Sequence, residues 1–195
     1  MSPAKADATR RRLLDAATED FAAHGIAGAR VDRIAAAAGV NKAQLYAYFG
    51  DKLGLFEAVF RLHADAVADA VPFTATDLAG YAVRLYDAFL ARPDLVRLVT
   101  WAKLEGIHTG SLSPEAPAVA AKLRAVSEAQ RQGRVSASTE PHDILALVTA
   151  MALTWSAAGP YTTATRDDHP EEHDRRRRAL SEAVRRSFAP GSATA

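Results

Sequence analysis

Residues 30–52, RVDRIAAAAGVNKAQLYAYFGDK, constrain the fold more than any other stretch, because they encode two short helices joined by a tight turn. Apolar residues at helical spacing give the first helix one buried face: Val31, Ile34, Ala35 and Ala38. Gly39 then ends that helix, as glycine does where the chain turns into the left-handed region. Asn41 begins the second helix, and Gln44, three residues later, completes an Asn variant of the capping box.

The second helix of this stretch has a buried side and a polar side. Leu45, Tyr48 and Phe49 form the buried side, and the residues left on or near the other side are Lys42, Ala43, Gln44 and Tyr46. Two short helices joined by a glycine-containing turn have the helix-turn-helix geometry, in which the second helix enters the major groove of DNA. Lys and Gln can bind base edges, and a Tyr hydroxyl can bind phosphate. The same pattern also fits an alanine-rich helix pair in an all-α core that never meets DNA.

The segment from Ile34 to Phe56 closely resembles the signature of the tetracycline-repressor (TetR) family of bacterial regulators. The matching residues are Ile34-Ala35, Ala38-Gly39-Val40, Leu45-Tyr46, Tyr48-Phe49 and Lys52, with Asn41 where the family has a capping Ser. The resemblance implies an all-α protein with a three-helix DNA-binding head over residues 1–52 and a helical regulatory and dimerisation body over residues 53–195. It also implies a ligand-responsive transcriptional regulator, expected to be a repressor that a small molecule releases from its operator.

The residues expected to contact DNA are Arg30, Lys42, Ala43, Gln44, Tyr46, Tyr48 and Lys52. Arg30 departs from the family pattern, which has Thr or Ser there; a guanidinium cannot accept a capping hydrogen bond, yet it can bind phosphate. Gln44 has two possible roles, because a side chain that folds back to cap Asn41 cannot read a base in that rotamer. We expect Lys42, Gln44, Tyr46 and Lys52 to be exposed to solvent, with Tyr46 and Lys52 on phosphates.

The composition adds weaker support for this interpretation. The chain of 195 residues is 49% hydrophobic and has no Cys, which excludes disulfides and thiolate metal sites and fits a reducing cytoplasm. Residues 1–52 hold eight Lys or Arg against six Asp or Glu, so the small basic excess lies at the helix-turn-helix end. The basic N-terminus has no apolar segment behind it, so no signal peptide is predicted.

The rest of the sequence predicts helices, with no alternating stretch long enough for a strand. The first helix is expected to open at Arg10–Arg12 and to end at His24-Gly25. Asp51 can cap a helix that continues to about Val71, before Pro72. The later helices are expected, in order, from Thr76 to Ala91, from Pro93 to near Gly106, from Ser113 to Gly133, from Thr139 to Ser156 and from Pro170 to Phe188.

The segment from Ile144 to Trp155, ILALVTAMALTW, carries no charge, so its helix should be buried on several sides. It is shorter than the about 20 apolar residues that span a bilayer, and no membrane partner is predicted. The family resemblance implies a homodimer packed through the last two helices, about 140–157 and 171–188. A dimer also doubles the length of double-stranded DNA operator that one short helix can read.

The charged block from Asp167 to Arg178 contains the pattern H-x-x-E-H between His169 and His173, which in other proteins holds zinc. Because Pro170 places His169 at or before the helix start and no third ligand follows, no metal site is predicted. Three i,i+4 ion pairs on an exposed helix are expected instead: Glu171 with Arg175, Glu172 with Arg176, and Asp174 with Arg178.

Aromatic and apolar residues of the body either form its core or line a ligand cavity. The residues expected to bind a small molecule are Tyr81, Leu85, Phe89, Trp101, Leu104, His108 and Trp155. Trp101, His108 and Trp155 come first, because each joins a large apolar body to a polar tip. No cofactor is predicted, and no nucleophile elbow, glycine-rich phosphate loop or paired-carboxylate motif indicates an enzyme. A helical dimerising module without DNA binding is the other alternative.

Overall fold

The protein is all-α, as predicted. The computed structural model describes residues 3–104, 106 and 117–190, and contains no strand within those ranges. Nine α-helices follow one another in the described chain: α1 Pro3–Gly28, α2 Val31–Ala37, α3 Lys42–Phe49, α4 Lys52–Ala70, α5 Leu78–Ala91, α6 Pro93–Leu104, α7 Pro117–Arg131, α8 Pro141–Ala152 and α9 Pro170–Phe188. A short 3-10 turn, Ala75–Asp77, precedes α5.

The chain divides into two compact units. We call residues 1–66 with 94–111 the head unit, and residues 67–93 with 112–195 the body unit. The head unit therefore includes most of α6, which lies far beyond residue 52 in the sequence. The functional division at residue 52 stays a prediction, since these units report packing alone.

The core of the head unit joins α1, α2, α3, α4 and α6. Phe21 of α1 and Phe56 of α4 meet edge to face with ring centroids 5.2 Å apart, and both side chains are fully buried. Leu98 of α6 is fully buried in the same core. Burying a side chain of this size stabilises the fold by about 1.5–3 kcal/mol. Helices α2 and α3 therefore pack on a well-buried apolar core.

Helix α1 is longer and less regular than the sequence predicts. It begins at Pro3 instead of Arg10, and it continues to Gly28 after a break at Gly25, whose backbone has φ 69° and ψ 176°. The regular helix therefore does stop at the predicted His24-Gly25, and residues 26–28 add a further helical turn beyond the kink. A Cβ added at Gly25 would lie 2.9–3.1 Å from three ring atoms of Trp101 in α6, so the missing side chain makes room for the indole.

The body unit packs α5 against α8 and α9, with α7 against α8. Val126, Ile144, Val148 and Val184 are fully buried at the centre of this core. No helix in the described ranges is long and apolar enough to cross a membrane.

Most helix boundaries after α1 agree with the predicted ones, and two differ. Asp77 caps α5 by accepting a hydrogen bond from the Gly80 N–H at 2.9 Å, so the cap lies one residue beyond the expected Thr76. Helix α8 ends at Ala152 instead of Ser156, because the Leu153 and Thr154 N–H groups bond carbonyls three or four residues back in a tightening turn. The expected helix start at Ser113 lies outside the described residues, and α7 is described from Pro117.

Candidate nucleic-acid interface

Helices α2 and α3 form the helix-turn-helix that the sequence predicts. Gly39, with φ 65°, turns the chain between them, while the Val40 N–H bonds the Ala35 carbonyl at 3.0 Å. The Asn41 side chain then accepts a hydrogen bond from the Gln44 N–H at 2.8 Å, which confirms the predicted cap of α3. Leu45 is fully buried beneath α3, so this helix is fixed at its start and along its inner side.

The outer side of α3 presents Lys42, Ala43, Tyr46 and Ala47, all exposed. These positions are spaced one and four residues apart, so they form one face of the helix. Ala47 was not singled out from the sequence, although its spacing from Ala43 places it there. Gln44 is half-buried instead of fully exposed, but within the described chain its side-chain amide has no hydrogen-bond partner. The amide is therefore available to a base, because the cap uses only the backbone N–H of Gln44.

Tyr48 lies apart from this face. Its ring packs against the core of the head unit, and its hydroxyl donates to the Ala6 carbonyl of α1 at 3.3 Å. The structure thus places Tyr48 on the buried side that the apolar spacing indicates, at the junction between α1 and α3.

Lys52 is half-buried and already has partners within the head unit. Its amine lies 3.3 Å from the Ala27 carbonyl and 3.4 Å from the Ala29 carbonyl, where α1 ends. The expectation that Lys52 is freely exposed is therefore wrong, because α4 starts beside the last turn of α1. An ammonium has three N–H donors, so Lys52 can still offer one to a phosphate while it satisfies these carbonyls.

Arg30 precedes α2 and is exposed, and its side chain makes no cap, as its chemistry predicts. The N-terminus of α2 is anchored instead by Asp20 of α1, whose carboxylate accepts from the Arg30 N–H at 3.1 Å. Arg33 of α2 donates two further hydrogen bonds to the same carboxylate, one of them from Nη2 at 2.9 Å. Sequence reasoning missed Asp20, since its partners lie ten and thirteen residues away and no local pattern links them.

The pKa of the Asp20 carboxyl reflects this environment. Burial alone would raise the pKa, but the hydrogen bond from Arg33 and that from the Arg30 N–H together outweigh it, and the pKa falls below its ordinary value. Asp20 is therefore a carboxylate near neutral pH, and it holds α2 against α1 through charge-assisted hydrogen bonds.

The seven residues expected to bind a small molecule are not gathered in one place. Trp101 and Leu104 belong to the head unit, where Trp101 covers Gly25 and Leu104 is 73% exposed. His108 lies outside the described residues. The other four belong to the body unit: Tyr81, Leu85, Phe89 and Trp155. A shallow depression of about 450 Å³ on the body unit, lined by Val83 and residues of α9 such as Arg178, contains none of the seven.

Trp155 lies beside a buried polar group of the body unit. Its ring meets that of Tyr86 edge to face with centroids 6.0 Å apart, and the Tyr86 hydroxyl lies 2.7 Å from Nδ1 of His173. Both Tyr86 and His173 are buried. Trp155 therefore packs against a core residue whose hydroxyl is paired with a buried imidazole, and the ligand site expected in this part of the chain stays a prediction.

The H-x-x-E-H residues have separate structural roles. His169 caps α9, with Nδ1 accepting from the Glu171 N–H at 3.4 Å, whereas His173 is buried against Tyr86. The described residues contain no group of three His, Cys, Asp or Glu side chains placed to hold a metal ion.

The predicted ion pairs of α9 are only partly correct. Glu172 does meet Arg176 at 3.4 Å, but Arg176 is 5% exposed instead of lying on a solvated face, because it follows His173 on the side that packs inward. Arg176 also pairs with Asp168 at 2.5 Å, and this hydrogen bond, with a second from Thr165, lowers the Asp168 pKa to about 2. The other two predicted pairs, Glu171–Arg175 and Asp174–Arg178, are absent from the described residues. Arg175 meets Glu172 and Arg177 meets Asp174 instead, each three residues apart.

Comparison with known proteins agrees with this architecture. Residues 13–59 match the family described as bacterial regulatory proteins of the tetR family, and residues 77–186 match the tetracyclin repressor-like C-terminal domain. The HTH-type transcriptional repressor SCO4008 of Streptomyces coelicolor is 40% identical over 157 residues, which cover 79% of this chain and 81% of that protein.

Solved structures show the same likeness. SCO4942 of Streptomyces coelicolor, solved as a candidate transcriptional regulator, superposes with a TM-score of 0.75 at 38% identity, covering 94% of this chain and 99% of that one. A TetR family transcription regulator from Marinobacter aquaeolei VT8 superposes with a TM-score of 0.71 at 22% identity, covering 97% and 100% of the two chains. This second likeness shows the shared fold.

The fold and the capped, exposed α3 define a helix-turn-helix transcriptional regulator. The chain belongs to the tetracycline-repressor family. The family consists of DNA-binding regulators, in agreement with the resemblance carried by residues 34–56.

Proposed function

We propose that this protein is a repressor that binds its operator as a homodimer through α3 and is released by a small molecule. The observation that carries the proposal is the outer face of α3, where exposed side chains stand on a helix fixed by the Asn41 cap and by buried Leu45. Ala43 and Ala47 leave room for close approach to a groove, while Lys42, Gln44 and Tyr46 supply the polar contacts. Arg30 and the remaining donor of Lys52 add phosphate contacts at the edge. We assign it no catalytic role, and its place of action is the cytoplasm, where bacterial DNA lies.

The dimer is proposed to form through α8 and α9. On α8, Leu147 is 45% exposed, and Ala146 and Ala150 beside it are also exposed, so the part of this helix after Asp143, which carries no charge, keeps one apolar side on the surface of the single chain. Ala179 and Ala183 are exposed on α9. Small residues allow two helices to approach closely, and a two-fold axis there pairs each patch with its own copy. The two α3 helices must then lie about 34 Å apart, or a multiple of that distance, to enter successive major grooves.

The effector is proposed to bind in the body unit near Trp155, Tyr81, Leu85 and Phe89, and to be a largely apolar molecule. The contact of Trp155 with Tyr86, and of Tyr86 with buried His173, supports this, because a mostly apolar site with a few polar tips is typical of ligand pockets. Helix α4 begins in the head unit and ends in the body unit, so it can transmit a shift between them. A coupling free energy of about 1–3 kcal/mol is enough to release DNA.

The effector proposal has its own test. A screen of small apolar compounds is followed by Trp fluorescence, and each binder is then titrated against the protein–DNA complex. The chain has two tryptophans, so Trp155 fluorescence is followed in a Trp101→Phe protein. We expect binders that alter it to lower DNA affinity by about fivefold or more. A compound that binds the body unit and leaves DNA affinity unchanged contradicts the release mechanism.

The DNA-binding proposal is tested by adding a negative charge to the outer face of α3. Ala43→Glu places an anion where phosphates and base acceptors must come, and like-charge contacts cost several kcal/mol. An acid in the first turn of α3 also suits the helix dipole, so the fold should be preserved. The matched control is Ala121→Glu, the same change at an exposed position of α7.

Fluorescence anisotropy with duplex DNA from upstream of the protein's own coding sequence gives the measurement. We expect Ala43→Glu to weaken binding by about 100-fold, given that penalty, while Ala121→Glu binds like the wild-type protein. Equal binding by both variants would show that α3 does not face DNA.

A further inference from the structure

Asp32, in the first turn of α2, points its carboxylate at the first residue of α3. The Lys42 amine lies 3.1 Å from Oδ1 and 3.2 Å from Oδ2 of Asp32. The pair is open to solvent, with side-chain exposures of 75% for Asp32 and 49% for Lys42. The one lysine on the outer α3 face is therefore neutralised within the described head unit before DNA arrives.

An exposed ion pair of this kind is weak, of the order of 0–1 kcal/mol, so it can open readily. The ion pair matters because of where it lies, at the start of α3, although it is weak. The start of the recognition helix is where base edges and phosphates are met in helix-turn-helix complexes, and sequence-independent affinity comes almost entirely from cations that bind phosphate. A carboxylate at the start of α3 leaves one cation fewer to bind phosphate, and the carboxylate itself repels phosphates.

We propose that Asp32 is a specificity-determining residue, which holds Lys42 away from phosphates on non-operator DNA and so suppresses sequence-independent binding. The inference rests on the proposed DNA-binding function. An operator offers Lys42 a placed acceptor, such as a guanine edge, that outcompetes the weak bond to Asp32. Random-sequence DNA presents phosphates but no base acceptor at a fixed position opposite Lys42, so opening the pair gains less there and the pair stays closed. Specificity then arises from a penalty on the wrong DNA as well as from contacts to the right one.

The size of the effect follows from counterion release. One additional phosphate contact makes the logarithmic salt dependence of binding steeper by about 0.9, which corresponds to roughly eightfold tighter binding at about 0.1 M salt. Asp32→Asn should release Lys42 and produce this change on random-sequence DNA. Asn is accepted near helix starts and Asp32 buries almost nothing, so the variant should fold.

The experiment is a double-mutant cycle with four full-length proteins: wild type, Asp32→Asn, Lys42→Gln and the double variant. Each is titrated by fluorescence anisotropy against a random-sequence duplex of about three helical turns, long enough for two half-sites, over a range of salt concentrations. Circular dichroism checks that each is folded, and Asp32→Ser replaces Asp32→Asn if the latter is not. Asp15→Asn, which removes the same charge from an exposed position of α1, measures the bulk charge effect.

We expect Asp32→Asn alone to bind random DNA about eightfold more tightly with a salt slope steeper by about one. In the Lys42→Gln background the same substitution should have less than about a twofold effect, because additivity fails only where the two residues interact. Asp15→Asn should match the wild-type slope. If the Asp32→Asn effect is absent, or is the same with and without Lys42, the inference is wrong while the DNA-binding function stands. A wild-type protein that binds no duplex at low salt overturns both.

Discussion

The close contact between Gly25 and Trp101 predicts that a single added methyl group destabilises the head unit. Gly25 combines φ 69° with ψ 176°, a backbone region that is essentially restricted to glycine. Its missing Cβ would lie 2.9 Å from Cδ2 of the Trp101 indole, and 3.0 and 3.1 Å from two further ring atoms. The substitution Gly25→Ala therefore meets both a backbone penalty and a steric one.

The two penalties can be estimated separately. A non-glycine residue in this backbone region costs of the order of 1–3 kcal/mol. Moving a packed ring by a few tenths of an ångström costs typically about 1–3 kcal/mol, as in other overpacked cores. We expect Gly25→Ala to lower the free energy of unfolding by about 2–6 kcal/mol in total, a large part of the about 5–15 kcal/mol that stabilises a typical protein.

Gly28 provides the matched control, since it lies three residues further along α1 with helical backbone and meets only the His24 Cβ, at 3.4 Å. There, alanine should stabilise by about 0.5–1 kcal/mol, because the helix no longer loses the entropy of glycine. Urea unfolding followed by circular dichroism and Trp fluorescence measures both variants. If Gly25→Ala proves as stable as Gly28→Ala, α1 has no kink at Gly25 and Trp101 does not pack there.

The Asn41 cap, the Asp20 carboxylate and the exposed side of α8 can each be tested by a single substitution. Asn41→Ala should lower the free energy of unfolding by about 0.5–2 kcal/mol in urea titrations, whereas Asn41→Asp, which keeps a capping oxygen, should not. Because the folded-state pKa of Asp20 lies below its ordinary value of 3.8, its stabilisation is present above that pH and disappears as the pH falls through the folded-state pKa. Thermal unfolding between about pH 2 and 6 should therefore show a smaller acid loss in Asp20→Asn than in the wild type, and identical profiles would contradict the assignment. Leu147→Glu should convert a dimer into a monomer in sedimentation experiments, since it places a charge in the proposed α8 contact. The control Tyr161→Glu, at a 90% exposed position beyond α8, should leave the dimer intact. If both variants remain dimers, the interface lies elsewhere.

The sequence predicts the parts of this structure that depend on local signals. The cap at Asn41, the turn at Gly39 and the start of α9 at Pro170 each follow from one residue type at one position, and the structure has all three. The exposed face of α3 follows in the same way, because helical spacing alone separates Lys42 and Tyr46 from buried Leu45.

The parts that the sequence does not predict depend on contacts between distant residues. Asp20 anchors α2 through Arg30 and Arg33, and nothing within α1 marks this acid as a partner of α2. Trp101 was expected to line a ligand site because its side chain suits one, but its contact is a glycine 76 positions earlier in the chain. The sequence likewise predicts a free Lys52, because only the folded chain brings its amine to the carbonyls that end α1.

The inward turn of Arg176 is an intermediate case. Its position follows helical spacing with His173, Leu180 and Val184, all of them buried in α9. That periodicity indicates a buried position for Arg176, whereas its i,i+4 spacing from Glu172 indicates an ion pair on an exposed face. A charged residue on the apolar stripe of an amphipathic helix should therefore be examined for buried partners before it is placed on the surface.

Whether α3 reads DNA is tested by selecting bound duplexes from a random-sequence DNA pool with the wild-type protein and with Ala43→Glu in parallel. If the protein reads DNA as a two-fold dimer through α3, the wild type should enrich an inverted repeat whose half-sites are centred about 10–10.5 base pairs apart, or a multiple of that spacing. The Ala43→Glu protein should enrich no motif. A wild-type pool without any enriched sequence, or a motif that Ala43→Glu enriches equally well, would contradict the account.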